Sequence, residues 1–196
     1  MREAPSSRPV FALLVVWLTL ALGADLSGRV AAFPPPAPQV LLILLTLGAL
    51  WLFNRVRALR LWVDSVDSRV LITLHLTRFV GAYFLVLYGR EELPFAFAIP
   101  GGLGDILAAT WALTLLLGIR VDTLAGRRAY RMWNVVGLTD ILLAVTTAAR
   151  LGVAAPVAMA ALLRVPLSLL PTFLVPLIIA SHVQPFRRLR TANVAA

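Results

Sequence analysis

The chain contains no cysteine. Disulfide scaffolds, Cys-ligated zinc, iron–sulfur clusters and cysteine nucleophiles are therefore excluded. It also contains no lysine, since all 18 basic side chains are arginine. Only 9 residues are acidic and 2 are histidine. Charged residues make up 14% of the 196 positions, where soluble domains carry about 25%. So little charge excludes a coiled coil or a disordered chain. The net charge of +9 is not read as a nucleic-acid signal, because no soluble basic face with interleaved aromatics accompanies it. Serine triads, P-loops and dinucleotide fingerprints are also absent. No catalytic residue, cofactor or metal ligand is therefore assigned.

What the chain does have is apolar length. Apolar residues make up 60% of it and the mean hydropathy is +0.89. A membrane-spanning helix needs about 20 mostly apolar residues. Six such segments are read, at about Pro9–Ala24, Val40–Asn54, Val70–Tyr88, Leu103–Ile119, Met132–Ala149 and Val165–Val183. The runs are continuous rather than alternating, which favours helices over a barrel. The expected fold is all-α. It is a polytopic transmembrane helix bundle of six spans, one integral membrane domain over residues 1–196, with the lipid bilayer as its surroundings.

Four stretches fall outside this scheme. Arg2, Arg8, the apolar run Val10–Leu22 and the small residues Ala21 and Gly23 resemble a signal peptide. The next apolar run follows closely, so the segment is expected to stay as the first span. Arg55–Arg69 alternates apolar residues with charge and is expected to lie along the cytoplasmic surface, with Trp62 at headgroup depth. Leu93–Gly104 is rich in proline and glycine and is expected to be a loop dipping into the membrane edge. Val153–Leu163 is apolar but too short to span, and is expected to be interfacial.

Arginine placement sets the orientation. One side receives Arg2, Arg8, Arg55, Arg57, Arg60, Arg69, Arg120, Arg127, Arg128, Arg131, Arg187, Arg188 and Arg190. The other receives Arg29, Arg90, Arg150 and Arg164. Loops this short obey the positive-inside rule, so both termini are expected in the cytoplasm, which requires an even number of spans. The excess positive charge is the topology signal, with attraction to anionic headgroups.

Charge inside a span must be offset by a partner or a cavity, because at the bilayer centre it costs at least ~2.5–3.5 kcal/mol. The polar residues inside or at the ends of spans are His75, Arg78, Asp105, Asn134, Asp140 and His182. Counted from the expected starts of their spans, Arg78 and Asp140 both lie about 12 Å in. Matched depth predicts that they pair. Asp105 is expected near the outer surface, as a charge at a helix start or a target for a snorkelling Arg78. Close-packed faces are expected from Gly81 and Ala82, and from Gly104, Ala108 and Ala112. Gly137, Asp140, Ala144 and Thr147 share one broad face toward a polar interior, and Ser168, Thr172, Ile179 and His182 share another. Pro166, Pro171 and Pro176 kink the last span, and each frees a carbonyl that must find a partner. Spans three to six are expected to enclose a polar cavity lined by Arg78, Asp105, Asn134 and Asp140.

Several ordered blocks support a resemblance. They are Arg78-x-x-Gly81-x-x-Phe84, Leu93-Pro94-x-x-Phe97-Ala98-x-Pro100-x-Gly102-x-Gly104-Asp105, Trp133-Asn134-x-x-Gly137-x-x-Asp140 and Pro166-x4-Pro171-x-Phe173-x-x-Pro176-x5-His182. Together they resemble a widespread family of small bacterial inner-membrane proteins with no established biochemical function. The resemblance implies that Arg78, Asp105, Asn134, Asp140 and His182 belong to a family pattern, and these five are the candidate ligand-binding residues. It implies no activity, and His75 is not part of it.

Competing readings stay open at this stage. A protein binding or translocating a small ligand or ion, with a homo-oligomer able to complete the pathway, would account for buried charge beside interrupted helices. A structural or assembly subunit would use the same charges to set helix register. A b-type haem held by His75 and His182 is a minor alternative. Another is an intramembrane aspartyl enzyme built on Gly102-Leu103-Gly104-Asp105 with Asp140, although the order of the two carboxylates is reversed from that of such enzymes.

Overall fold

The computed structural model describes the backbone of residues 7–118 and 123–194, and side chains through residue 184. Arg2 and Arg120, the side chains of Arg187, Arg188 and Arg190, and the expected end of span four at Ile119 lie outside the described residues. Every regular element among the described residues is a helix. These are α1 (Arg8–Leu26), α2 (Ala37–Arg55), α3 (Arg57–Ser65), α4 (Ser68–Leu74), α5 (Gly81–Gly89), α6 (Phe95–Leu117), α7 (Leu124–Ala154) and α8 (Val175–Val194). A 3₁₀ turn, His75–Val80, joins α4 to α5. A second, Pro156–Leu163, follows α7, and a π-helical turn, Leu170–Leu174, leads into α8. Five helical segments are long and apolar enough to cross a membrane: α1, α2, the continuous Ser68–Gly89 segment, α6 and α7. A sixth apolar helix, Leu170–Gln184, is shorter.

The boundaries correct the sequence reading in four places. Helix α6 starts at Phe95, so Leu93–Gly104 is not a loop. Pro94 serves as its N-cap, and Gly101, Gly102 and Gly104 continue the helix through Pro100. Helix α7 runs 31 residues, about 46 Å, so it outreaches a hydrocarbon core of about 30 Å. Arg127, Arg128 and Arg131 lie on its first turns, after the Thr123 hydroxyl caps it by accepting from the Gly126 N–H at 3.0 Å. Val153–Leu163, expected to be one interfacial stretch, is two pieces, the end of α7 and the 3₁₀ helix that follows. The last helix starts at Leu170 rather than Val165, because Pro166 pushes the residue before it out of the helical region.

The chain forms two compact units. One comprises residues 68–161 and the other residues 1–67 and 162–196. In the first, α6 packs against α4, the 3₁₀ turn and α5 on one side and against α7 on another. Its buried stripe is Ala98, Gly101, Asp105, Ala108, Ala112 and Leu115, at the spacing of three and four that defines one helix face. Ile72, Ala112, Leu115 and Trp133 close one end of this core. Ala82, expected on the packed face, is exposed. In the second unit, α2 packs on α3, α8 and the π turn, while α1 contacts α3 and the π turn. Amphipathic α3 buries Leu59 and Val63 and exposes Arg57 and Arg60.

The distribution of polarity is inverted relative to a soluble protein. Phe11, Val15, Val16 and Leu20 of α1 and Leu142 and Leu143 of α7 are exposed. Arg78, Asp105, Asn134, His75 and His182 are at most 5% exposed.

Candidate functional site

The site is built on a close helix crossing. A Cβ on Gly81 would lie 2.5 Å from the Gly102 carbonyl oxygen and 2.7 Å from Asp105 Cβ. A Cβ on Gly102 would lie 2.8 Å from the Gly81 carbonyl oxygen. All three distances are shorter than real side chains tolerate, so this backbone approach requires glycine on both helices. Arg78 stands one turn before Gly81 and therefore faces α6 at the same crossing.

The guanidinium bonds to two helices at once. Its Nε donates to Asp105 Oδ1 at 2.7 Å, its Nη1 to the Gly137 carbonyl at 3.0 Å, and its Nη2 to Asp140 Oδ2. Three edges of one planar fork are thus used on α6 and α7, a geometry that lysine cannot supply. The Arg78 side chain is 1% exposed, Asp105 7% and Asp140 22%, so Asp140 is the accessible member.

The expected pairing of Arg78 with Asp140 is present. Asp105 was expected near the outer surface, and here the structure corrects the reading. Because α6 begins at Phe95, Asp105 is its eleventh residue, about 15 Å from the helix start and away from any N-terminal role. Arg78 does not choose between the carboxylates, because it binds both. The guanidinium also reaches α7 through the Gly137 carbonyl. Gly104 is the seat of Asp140: a Cβ there would overlap Oδ1 and stand 2.7 Å from Cγ.

Asn134 is buried on α7 one turn before Gly137, but the three bonds of Arg78 go elsewhere. His182 is fully buried on α8, in the other compact unit, and it makes none of those bonds. His75 is packed edge-on against Trp133, with ring centroids 4.7 Å apart, and Trp133 in turn donates Nε1–H to the Ala108 carbonyl at 3.0 Å. A positive guanidinium bridging Asp105 and Asp140 opposes the direct proton sharing that an aspartyl dyad requires.

Two residues were missed by sequence reasoning. The first is Asp25, on the last turn of α1 and 7% exposed. Ending that span at Ala24 had left it outside. The signal was Gly28 three residues on, which adopts φ +72 beyond the helix end, as a glycine after a helix commonly does. The second is Trp17. Its Nε1–H donates to the Thr172 carbonyl at 2.9 Å, and its ring meets Phe173 edge-on. Pro176 has no N–H to give that carbonyl, so the indole is the partner that the proline made necessary.

With this geometry in place, comparison with sequence families matches residues 35–190, about four-fifths of the chain, to a domain of unknown function, DUF8737. The chain belongs to the DUF8737 family. The family description carries no activity. The match covers the glycine crossing, Arg78, both aspartates of the cluster and the π turn, and leaves α1 outside. No curated protein and no solved structure matches the chain.

Proposed function

We propose that this DUF8737 protein is a multi-pass protein of the bacterial inner membrane, with six spans and both termini cytoplasmic. We propose further that the Arg78–Asp105–Asp140 cluster carries a proton through the bilayer. The inverted polarity and the five long apolar helices support the membrane reading. The 13-to-4 division of arginine supports the orientation. Antiparallel packing fits it as well. Arg69, at the start of α4, donates to the Leu116 carbonyl at the end of α6, so those two ends share one side.

One observation carries the proton reading: two carboxylates meet a single cation. A register lock needs one pair, and a second buried carboxylate adds a desolvation penalty of several kcal/mol. With both ionised, the cluster carries one uncompensated negative charge. A metal ion would be repelled by the guanidinium lying between the carboxylates, whereas a proton binds directly to a carboxylate oxygen. Asp140, the more exposed of the two, is its seat. The cluster is also central. Arg78 is the eleventh of 22 residues in its segment, Asp105 the eleventh of 23 and Asp140 the seventeenth of 31. Intramembrane charge at the midplane marks ion pathways and proton relays.

The test is proton flux in proteoliposomes loaded with a pH-sensitive dye and driven by a potassium diffusion potential. Wild-type protein should pass protons, and Asp140→Asn should fold and lose flux. The competing reading is a structural subunit whose cluster sets helix register. It is supported if a folded Arg78→Met, Asp140→Leu double variant keeps every phenotype of the wild-type gene. That result would overturn the proton reading.

A further inference from the structure

We propose that Asp25, Ser168 and Thr172 form a binding site for a monovalent metal cation of the size of sodium. The inference is independent of the Arg78 cluster, and all three residues belong to the unit formed by residues 1–67 and 162–196.

Asp25 is the penultimate residue of α1, 7% exposed, and among the described residues no cationic side chain pairs with it. It stands at the C-terminal end of the helix, where the backbone dipole is itself negative and attracts cations. Two negative contributions therefore coincide at a buried point. Facing Asp25 is the π turn, a local widening of the helix that recurs at functional sites. Ser168, just before the turn, is fully buried, and Thr172 within it is 4% exposed.

The hydroxyl geometry points to the ligand. Thr172 Oγ1 has one proton, and its short bond is to the Ser168 carbonyl at 2.7 Å. Its second contact, to Asp25 Oδ2, is long at 3.4 Å and satisfies that carboxylate oxygen only weakly. A cation seated between these two oxygens would satisfy both more fully than that long bond does. Hard cations of calcium's size, which is also sodium's, hold oxygens at about 2.3–2.6 Å, and two such ligands at right angles stand roughly 3.3–3.7 Å apart. Asp25 Oδ1 and Ser168 Oγ are both buried without a well-formed hydrogen bond, and the two groups neighbour one another. The donor set is thus one carboxylate and two hydroxyl oxygens, hard ligands with a single negative charge. That charge balances a monovalent ion and leaves a divalent one uncompensated. The Trp17 indole pins the Thr172 backbone and so holds the turn in place.

The experiment measures binding of radioactive sodium to the purified full-length protein in detergent, together with thermal unfolding in sodium, potassium and choline chloride at equal ionic strength. Wild-type protein should bind about one sodium per chain, saturably, and its unfolding midpoint should rise with sodium but not with choline. Ser168→Ala should weaken binding at least tenfold. Asp25→Asn should abolish both binding and the sodium-dependent rise, and Glu92→Gln, a change at an exposed carboxylate, should leave both intact. If Asp25→Asn fails to fold, Ser168→Ala and Thr172→Val supply the same readout. Absence of saturable sodium binding by the wild type would overturn the proposal. So would binding that survives Asp25→Asn, or a midpoint that follows pH alone and ignores sodium, which would mark a proton as the occupant.

Discussion

The Asp140 carboxylate rests on the bare backbone of Gly104, and this contact lets one arginine hold two helices. The space between α6 and α7 admits the carboxylate only because position 104 lacks a Cβ. The glycine therefore serves the charge cluster as directly as the residues that bond within it.

Gly104→Ala should displace Asp140 from Arg78. Overpacking of this kind costs about 1–3 kcal/mol, so the midpoint of thermal unfolding in detergent should fall. Gly48→Ala is the control, since nothing lies within 4 Å of a Cβ at that helical position. Alanine is preferred to glycine in helices by roughly 0.5–1 kcal/mol, so that variant should match or exceed the wild type. Equal behaviour of the two variants would contradict the contact.

Arg78→Met should strand two buried carboxylates. Breaking a buried pair by removing one partner costs about 3–5 kcal/mol, enough to deplete the protein from the membrane fraction. Arg78→Lys should not restore it, because an ammonium cannot reach Asp105, Gly137 and Asp140 as a planar fork does. Full recovery with lysine would show that charge alone suffices. Immunoblots of membrane fractions read both outcomes.

Trp17→Phe keeps an aromatic ring against Phe173 but removes the donor to the Thr172 carbonyl. The expected loss is about 1 kcal/mol. Pro176→Ala supplies an N–H four residues after Thr172, the ordinary helical donor for that carbonyl. The double variant should therefore recover stability beyond the sum of the single changes, a coupling that a double-mutant cycle measures. Strict additivity would mean that the indole bond and the proline are unrelated.

Topology reporters fused after Glu92 and after Arg128 should read periplasm and cytoplasm respectively. The two positions flank α6, so a reporter active on the same side at both would rule out α6 as a span.

Much of this architecture was legible in the sequence. Apolar runs locate the helices because burial in hydrocarbon is a local property of about 20 residues. The matched placement of Arg78 and Asp140 followed from rise per residue alone. Prolines spaced through the last helix predicted freed carbonyls, and Trp17 answers one of them. Tertiary structure alone decided the rest. Asp105 joins the cluster because α6 begins at Phe95 and runs through Pro100, which a proline- and glycine-rich stretch does not suggest locally. Gly81, Gly102 and Gly104 read as loop or seam residues until the opposing helices are in place, and then each proves to accommodate a particular backbone or carboxylate. The partners of Arg78 lie 27 and 62 residues away along the chain, and Asp25 meets Thr172 across 147. Periodicity along one helix shows which faces are polar. Which polar groups meet depends on how close two backbones come, and that is set by the side chains of both.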